Sequence, residues 1–84
     1  MPLFMDVHRF EGEMPSDEDI KKAHGMDLSV QERHGVNYMK YWVSREAKVV
    51  QCLVEAPDAE AAKQVHIEAT GSAADEIYEV EERS

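Results

Sequence analysis

Cysteine and basic residues are scarce in this chain. Its single cysteine, Cys52, excludes an intrachain disulfide and any zinc site built from a cluster of cysteines. Nine basic residues stand against 18 acidic ones, which gives a formal net charge of −9. This charge argues against binding to nucleic acids and to anionic membrane surfaces, because both attract a basic protein face. It suits cationic partners such as metal ions, although most acidic proteins are simply soluble.

The sequence also lacks a long apolar run, an N-terminal signal pattern, an internal repeat and a low-complexity tract. We therefore expect no membrane-spanning segment and a cytoplasmic location. The composition that remains is ordinary for a globular protein, with 84 residues of which 43% are hydrophobic. It argues against disorder and predicts one domain, residues 1–84, with a modest core.

Hydrophobic periodicity predicts four strands and two helices. The predicted strands are Leu3–Phe10, Val36–Val43, Lys48–Glu55 and Asp75–Glu81, and the predicted helices are Ser16–His34 and Ala59–Thr70. Ser16 and Asp58 are the predicted N-caps. Gly35 and Gly71 are predicted to end the two helices. The order β-α-β-β-α-β is the ferredoxin-like plan, an α+β sandwich in which two helices cover one face of a four-stranded antiparallel sheet.

The second face of this predicted sheet carries apolar and aromatic side chains. In the second strand, alternation predicts Tyr38 and Trp42 on one face. Met39, Tyr41 and Val43 then lie on the other face. A chain of 84 residues does not easily leave such a surface in contact with water. We therefore expect a homodimer formed through the open sheet face, with a cavity between the subunits.

The most informative polar residues, His24 and Asp27, fall within the apolar arc of the first predicted helix. Helical periodicity of about 100° per residue gives an arc made up of Ile20, Ala23, Met26, Leu28 and Val30. Side chains three positions apart on a helix are neighbours, and buried polar groups need partners. The pair therefore requires a metal ion, a ligand or a local hydrogen-bond network.

A second histidine–carboxylate pair, Asp6 and His8, lies on one face of the first strand, because residues two apart in a strand point the same way. That strand is too hydrophobic to be an exposed edge. Neutral imidazole together with carboxylate suits zinc, nickel, copper or iron(II). For each pair, a hydrogen-bonded pair without metal is the more frequent alternative. His34 is predicted to complement the negative end of its helix, and His66, at a helix edge, is either a surface residue or a ligand.

Cys52 is predicted to be a small buried residue on the apolar face of the third strand. A nucleophilic role would need a nearby imidazole, which His8 could supply because the first and third strands are neighbours in this topology. A cavity lined by the aromatic residues of the second strand would also fit a flat organic ligand. No short metal motif, glycine-rich phosphate loop or Ser–His–Asp order is present.

Several segments resemble, in order and spacing, a family of small bacterial proteins. They are Met5–His8, Ala23–Leu28, Val30–Val36, Tyr41–Trp42, Cys52–Ala59, Val65–His66 and Asp75–Ile77. The family is similar to the nickel-binding, nickel-responsive proteins with a dimeric ferredoxin-like fold, and the resemblance extends from about Met1 to Val80. It implies this fold and a homodimer more strongly than it implies nickel.

The resemblance also implies a metal site drawn from the first strand and both helices. The positions that match the family's pattern are Asp6, His8, His24, Asp27 and His66. Relatives commonly have histidine where this chain has Thr70, and a hydroxyl is a poor ligand for a soft metal. The resemblance therefore implies fewer or weaker sites here than in close relatives.

The leading hypothesis is a homodimeric protein that binds a divalent transition metal, with nickel as the candidate, for sequestration or sensing. The imidazoles of His8 and His24 and the carboxylate of Asp6 would be its main ligands. An alternative is a small dimeric enzyme of the isomerase or monooxygenase kind, with His8, His24 and Cys52 as acid, base or nucleophile. A third is a dimerisation or ligand-binding module without catalysis.

Overall fold

The computed structural model describes residues 1–84, and its elements follow the predicted order. They are β1 (Leu3–Arg9), α1 (Asp17–Val30), β2 (Asn37–Ser44), β3 (Val49–Glu55), α2 (Ala59–Thr70) and β4 (Glu76–Val80). The strands form one antiparallel sheet in the order β2-β3-β1-β4, and both helices pack against the same face of it. The predicted ferredoxin-like α+β fold is confirmed. Neither helix is long and apolar enough to cross a membrane.

Both helices begin at the predicted N-caps. The Ser16 hydroxyl accepts a hydrogen bond of 3.1 Å from the backbone N–H of Asp19. The Asp58 carboxylate accepts one of 2.8 Å from the N–H of Ala61. Each cap satisfies one of the N–H groups that the first turn of a helix leaves without a partner. These local signals therefore set where α1 and α2 start.

The end of the first predicted helix is a separate turn. α1 stops at Val30, a 3-10 turn follows over Gln31–His34, and Gly35 then adopts the left-handed conformation with φ 65°. The turn places the imidazole of His34 against the carboxylate of Glu68 on α2. The partner of His34 is thus a side chain of the other helix and not, as predicted, the carboxyl end of its own helix.

β2 contains a bulge that simple alternation did not predict. The pairing of β2 with β3 shifts register between Tyr38 and Lys40, so Met39 is an extra residue in the strand. Tyr38 therefore faces the helices and is buried, and Tyr41 packs beside it against the core. Trp42 points to the open face and is 46% exposed. The prediction that Tyr38 and Trp42 share a face is wrong, because Met39 reverses the alternation.

The core lies between the sheet and the helices. Its ten buried residues are Phe4, Ile20, Val36, Tyr38, Val50, Cys52, Val54, Ala56, Ala62 and Val65. Cys52 is buried among them, as predicted. Met26 and Leu28, which were predicted on the apolar arc of α1, are each 42% exposed, whereas Asp27 between them is buried. The buried stripe of α1 is therefore narrower than predicted and has a carboxylate in it.

No helix of the chain covers the other face of the sheet. Val7, Val49 and Leu53 on this face are buried, whereas Trp42 and Tyr78 are each 46% exposed. A shallow groove crosses the face, and its lining residues are Leu3, Met5, Lys40, Trp42, Leu53, Val80, Glu81 and Glu82. The open face is therefore largely apolar, with acidic residues at one margin.

Candidate metal site

A cavity of about 220 Å³ lies between the sheet and the two helices. Four of the five predicted ligands line it, namely His8 on β1, His24 and Asp27 on α1, and His66 on α2. The fifth, Asp6, is buried beside His8 on the same strand face. Of the three aromatic residues expected around a cavity, Tyr41 lines it, and Tyr38 and Trp42 do not. The fold thus gathers residues from three elements, which are far apart in sequence, around one space.

β1 presents Asp6 and His8 to the helices from the middle of the sheet. Asp6 is 1% exposed, and the register places Cys52 of β3 directly opposite it. His8 Nε2 lies 3.5 Å from Asp6 Oδ1. One ligand atom from each of the three residues lies within 4.8 Å of the other two. Tetrahedral bonds of about 2.0–2.3 Å to a shared ion separate two ligand atoms by roughly 3.3–3.8 Å, so small side-chain movements would bring these atoms to one ion.

Three polar atoms in this region are buried without a hydrogen-bond partner: Asp6 Oδ1, His8 Nε2 and His24 Nδ1. The other oxygen of Asp6 accepts a hydrogen bond of 2.9 Å from the hydroxyl of Tyr38. Buried polar atoms in folded proteins nearly always have partners, and an unsatisfied one costs about 1–3 kcal/mol. All three atoms are of kinds that bind transition metals. The residues therefore fit a metal ion.

Asp27 pairs across the two helices with His66 and not with His24, its neighbour on α1. His66 Nδ1 lies 2.9 Å and 3.1 Å from the two carboxylate oxygens of Asp27. His66 was predicted at a helix edge. It is only 8% exposed and lies inside the interface between the two helices. The carboxylate holds the proton on Nδ1, which leaves Nε2 of His66 as the nitrogen available to a ligand.

The site has a negative electrostatic character. Burial by itself lowers the pKa of His66, but the hydrogen bond and charge of Asp27, with a smaller effect of Asp6, outweigh it and raise that pKa above its usual value. Burial, and next the charge of Asp6, raise the pKa of the Cys52 thiol and of the Tyr38 hydroxyl far above their usual values. The contributions of Asp6 and Asp27 to these shifts favour the protonated form of each group, so the two carboxylates favour positive charge near the cavity.

The comparisons with known proteins agree with this architecture. A family model described as nickel responsive protein SCO4226-like matches residues 4–80. The chain belongs to this family. The crystal structure of SCO4226 from Streptomyces coelicolor A3(2) is similar, with 36% sequence identity and a TM-score of 0.85 over 98% of this chain and 99% of that one. A search of curated proteins found no match.

Membership of the SCO4226-like family confirms the resemblance found in the sequence, and it draws attention to Thr70. This residue, at the position where the resemblance implies a histidine in relatives, lines the cavity at the end of α2. Its hydroxyl donates a hydrogen bond of 2.9 Å to the backbone carbonyl of His66. Thr70 therefore has a structural partner and adds no imidazole to the cavity.

Two residues of the site were missed in the sequence. Cys52 was interpreted as a core residue or a nucleophile and not as a metal ligand, although adjacency of the first and third strands places it beside Asp6. Tyr38, which donates to Asp6, was placed on the same face as Trp42, because simple alternation does not show the bulge at Met39. The signal for Cys52 was thus available in the topology, whereas no local pattern indicated Tyr38.

Proposed function

We propose that this protein binds a divalent transition metal ion, with nickel as the first candidate, in the cavity between the sheet and the helices, for sequestration or sensing. The observation that carries the proposal is the group of buried, unpartnered ligand atoms on Asp6, His8 and His24. The family description, which names nickel responsiveness, supports the choice of metal.

The residues would have different roles in metal binding. His8, His24 and His66 would each offer a neutral imidazole nitrogen, and Asp6 would offer a carboxylate oxygen. Asp27, whose two oxygens contact His66, would fix the orientation and tautomer of that ring and would not bind the ion itself. An ion beside Asp6 and His8 would give the unpartnered atoms of these two residues a partner and would offset the buried charge of Asp6.

Replacing His8 or His24 by alanine should weaken the binding of nickel and zinc by roughly 10–100-fold or more, because each change removes a ligand atom. Isothermal titration calorimetry on the metal-free protein measures the effect. The matched control is His34→Ala, since His34 contacts Glu68 and does not line the cavity. Unchanged affinity in both His8→Ala and His24→Ala would contradict the proposed site.

A reaction on a small organic molecule is the second candidate, because His8, His24 and Cys52 line one cavity together with Tyr41. The volume of about 220 Å³ is below the usual range for ligand pockets, about 300–1,000 Å³. The raised pKa of the Cys52 thiol works against a nucleophilic role, since the thiolate is the reactive form. Mass spectrometry of metal content in protein purified without a tag distinguishes the two candidates.

We also propose that the protein is a homodimer formed through the open sheet face. The support is the apolar groove on that face and the exposure of two large aromatic side chains, Trp42 and Tyr78. A second copy of the chain would remove this surface from water, which is the usual fate of an apolar patch in a small protein.

Sedimentation equilibrium at micromolar concentration should therefore give the mass of a dimer. Trp42→Asp should give a monomer, because burying an unpaired carboxylate costs several kcal/mol. Leu28→Asp is the matched control, since Leu28 is 42% exposed, close to the 46% of Trp42, but lies on α1. A monomeric wild type, or equal dissociation by the two variants, would count against this interface.

A further inference from the structure

We propose that Cys52 is itself a metal ligand and that Asp6, His8 and Cys52 form a thiolate-containing metal site on the helix-covered face of the sheet. The inference rests on the proposed function and specifies the metals that the site takes. A thiolate with an imidazole suits nickel, zinc, cobalt(II) and copper(I), whereas magnesium, calcium and manganese prefer sites made of oxygen ligands.

The sheet itself brings the three residues together. Asp6 of β1 and Cys52 of β3 are directly opposite in the antiparallel register, and His8 lies two positions along β1 on the same face. Their ligand atoms lie within 4.8 Å of one another. β1 and β3 are the two central strands of the sheet, and Asp6 and Cys52 are each paired with a strand on both sides. A site on such elements is held more precisely than a site on loops.

An unpartnered carboxylate oxygen gives the second reason to assign a site here. Asp6 is 1% exposed, and its Oδ1 has no hydrogen-bond partner. The neighbouring Nε2 of His8, 3.5 Å away, has none either. A Cys52 that only filled space would leave these two buried polar atoms with no more than the 3.5 Å contact between them. A shared ion would satisfy all three residues.

The charges balance with a divalent ion. Asp6 contributes one negative charge. Cys52 contributes a second, because a metal ion displaces the proton of a coordinating thiol to solvent even where the free thiol stays protonated. Neutral His8 adds none. The ion together with these ligands has no net charge. Burying it therefore costs much less free energy than burying an ion whose charge is not neutralised. The ring of His66, whose centroid lies 4.5 Å from that of His8, is the nearest further imidazole.

Cobalt(II) titration of the metal-free protein tests the proposal, because a cobalt–thiolate bond has a charge-transfer band in the near ultraviolet. Cys52 is the only cysteine in the chain, so this band reports on it alone. We expect the band in the wild type and its loss in Cys52→Ser, with nickel affinity lower by roughly tenfold or more. Val50→Ala, which alters the same wall of the cavity from the same strand face, should keep the band.

The outcomes separate this inference from the proposed function. Cobalt binding to the wild type without the band, or a band that persists in Cys52→Ser, would overturn the role of Cys52 and leave a histidine–carboxylate site standing. Failure of the wild type to bind cobalt, nickel or zinc would overturn both. The wild-type spectrum needs no variant, so poor folding of Cys52→Ser would not weaken the test.

Discussion

Replacing Asp27 by alanine is expected to lower the free energy of unfolding of the metal-free protein by about 3–5 kcal/mol, the range seen when one member of a buried ion pair is removed. Asp27 is 1% exposed, and its carboxylate is the hydrogen-bond partner of the buried His66. Without it, the imidazole stays in the helix interface with no partner for Nδ1. Urea denaturation in the presence of a chelator measures the loss.

The control for Asp27→Ala is Asp19→Ala, which removes an exposed carboxylate from the same helix. Asp19 lies in the first turn of α1, where a negative side chain contributes typically about 0.3–1 kcal/mol. The Asp19 variant should therefore lose at most that amount. If the two variants were destabilised equally, the Asp27–His66 pair would not be a principal support of the packing of α1 against α2.

The same pair should make the stability of the metal-free protein depend on pH. Asp27 raises the pKa of His66 above the value of about 6.5 that histidine has in an unfolded chain. The folded state therefore holds this proton more tightly than the unfolded state does. The resulting stabilisation is fully present below that unfolded value and is lost as the pH rises through the folded pKa. Asp27→Asn should accordingly cost more stability below pH 6 than above pH 9, measured by the same unfolding experiment.

Local signals were sufficient for most of the fold. The caps at Ser16 and Asp58 act within one helical turn of their own position, so the sequence pattern predicts them directly. The bulge at Met39 could not be predicted in this way, because it depends on the pairing of β2 with a particular part of β3. That one residue decides which face Tyr38 occupies, and with it which hydroxyl reaches Asp6.

Which residues form the site was easier to predict than which of them contact one another. His24 and Asp27 were interpreted as a pair because three residues separate them in the chain. In the structure, Asp27 contacts His66, which lies 39 positions away in sequence. The partner of a buried carboxylate is decided by how α1 and α2 pack, and spacing within one helix contains no information about that. His24 is consequently left with Tyr41 as its neighbour, their ring centroids 4.8 Å apart.

The second buried carboxylate, Asp6, is expected to respond to mutation in the opposite direction from Asp27. Asp6→Asn should raise the free energy of unfolding of the metal-free protein by about 1–3 kcal/mol, because it removes a buried charge with an unpartnered oxygen. It should also weaken nickel binding by roughly 10–100-fold or more, since a charged ligand is lost. Urea denaturation with chelator and calorimetric titration measure the two effects on one variant.

Tyr38→Phe provides the comparison for Asp6→Asn. It keeps the charge of Asp6 but removes the hydroxyl that donates to Oδ2, so neither oxygen then has a hydrogen-bond partner in the protein. The metal-free form of this variant should lose about 1–3 kcal/mol, the cost of a buried unsatisfied acceptor. Nickel should then stabilise it, because an ion would compensate the same carboxylate. If Asp6→Asn instead destabilised the metal-free protein as strongly as Asp27→Ala, the charge of Asp6 would support the fold, and its unpartnered oxygen would no longer indicate a cation site.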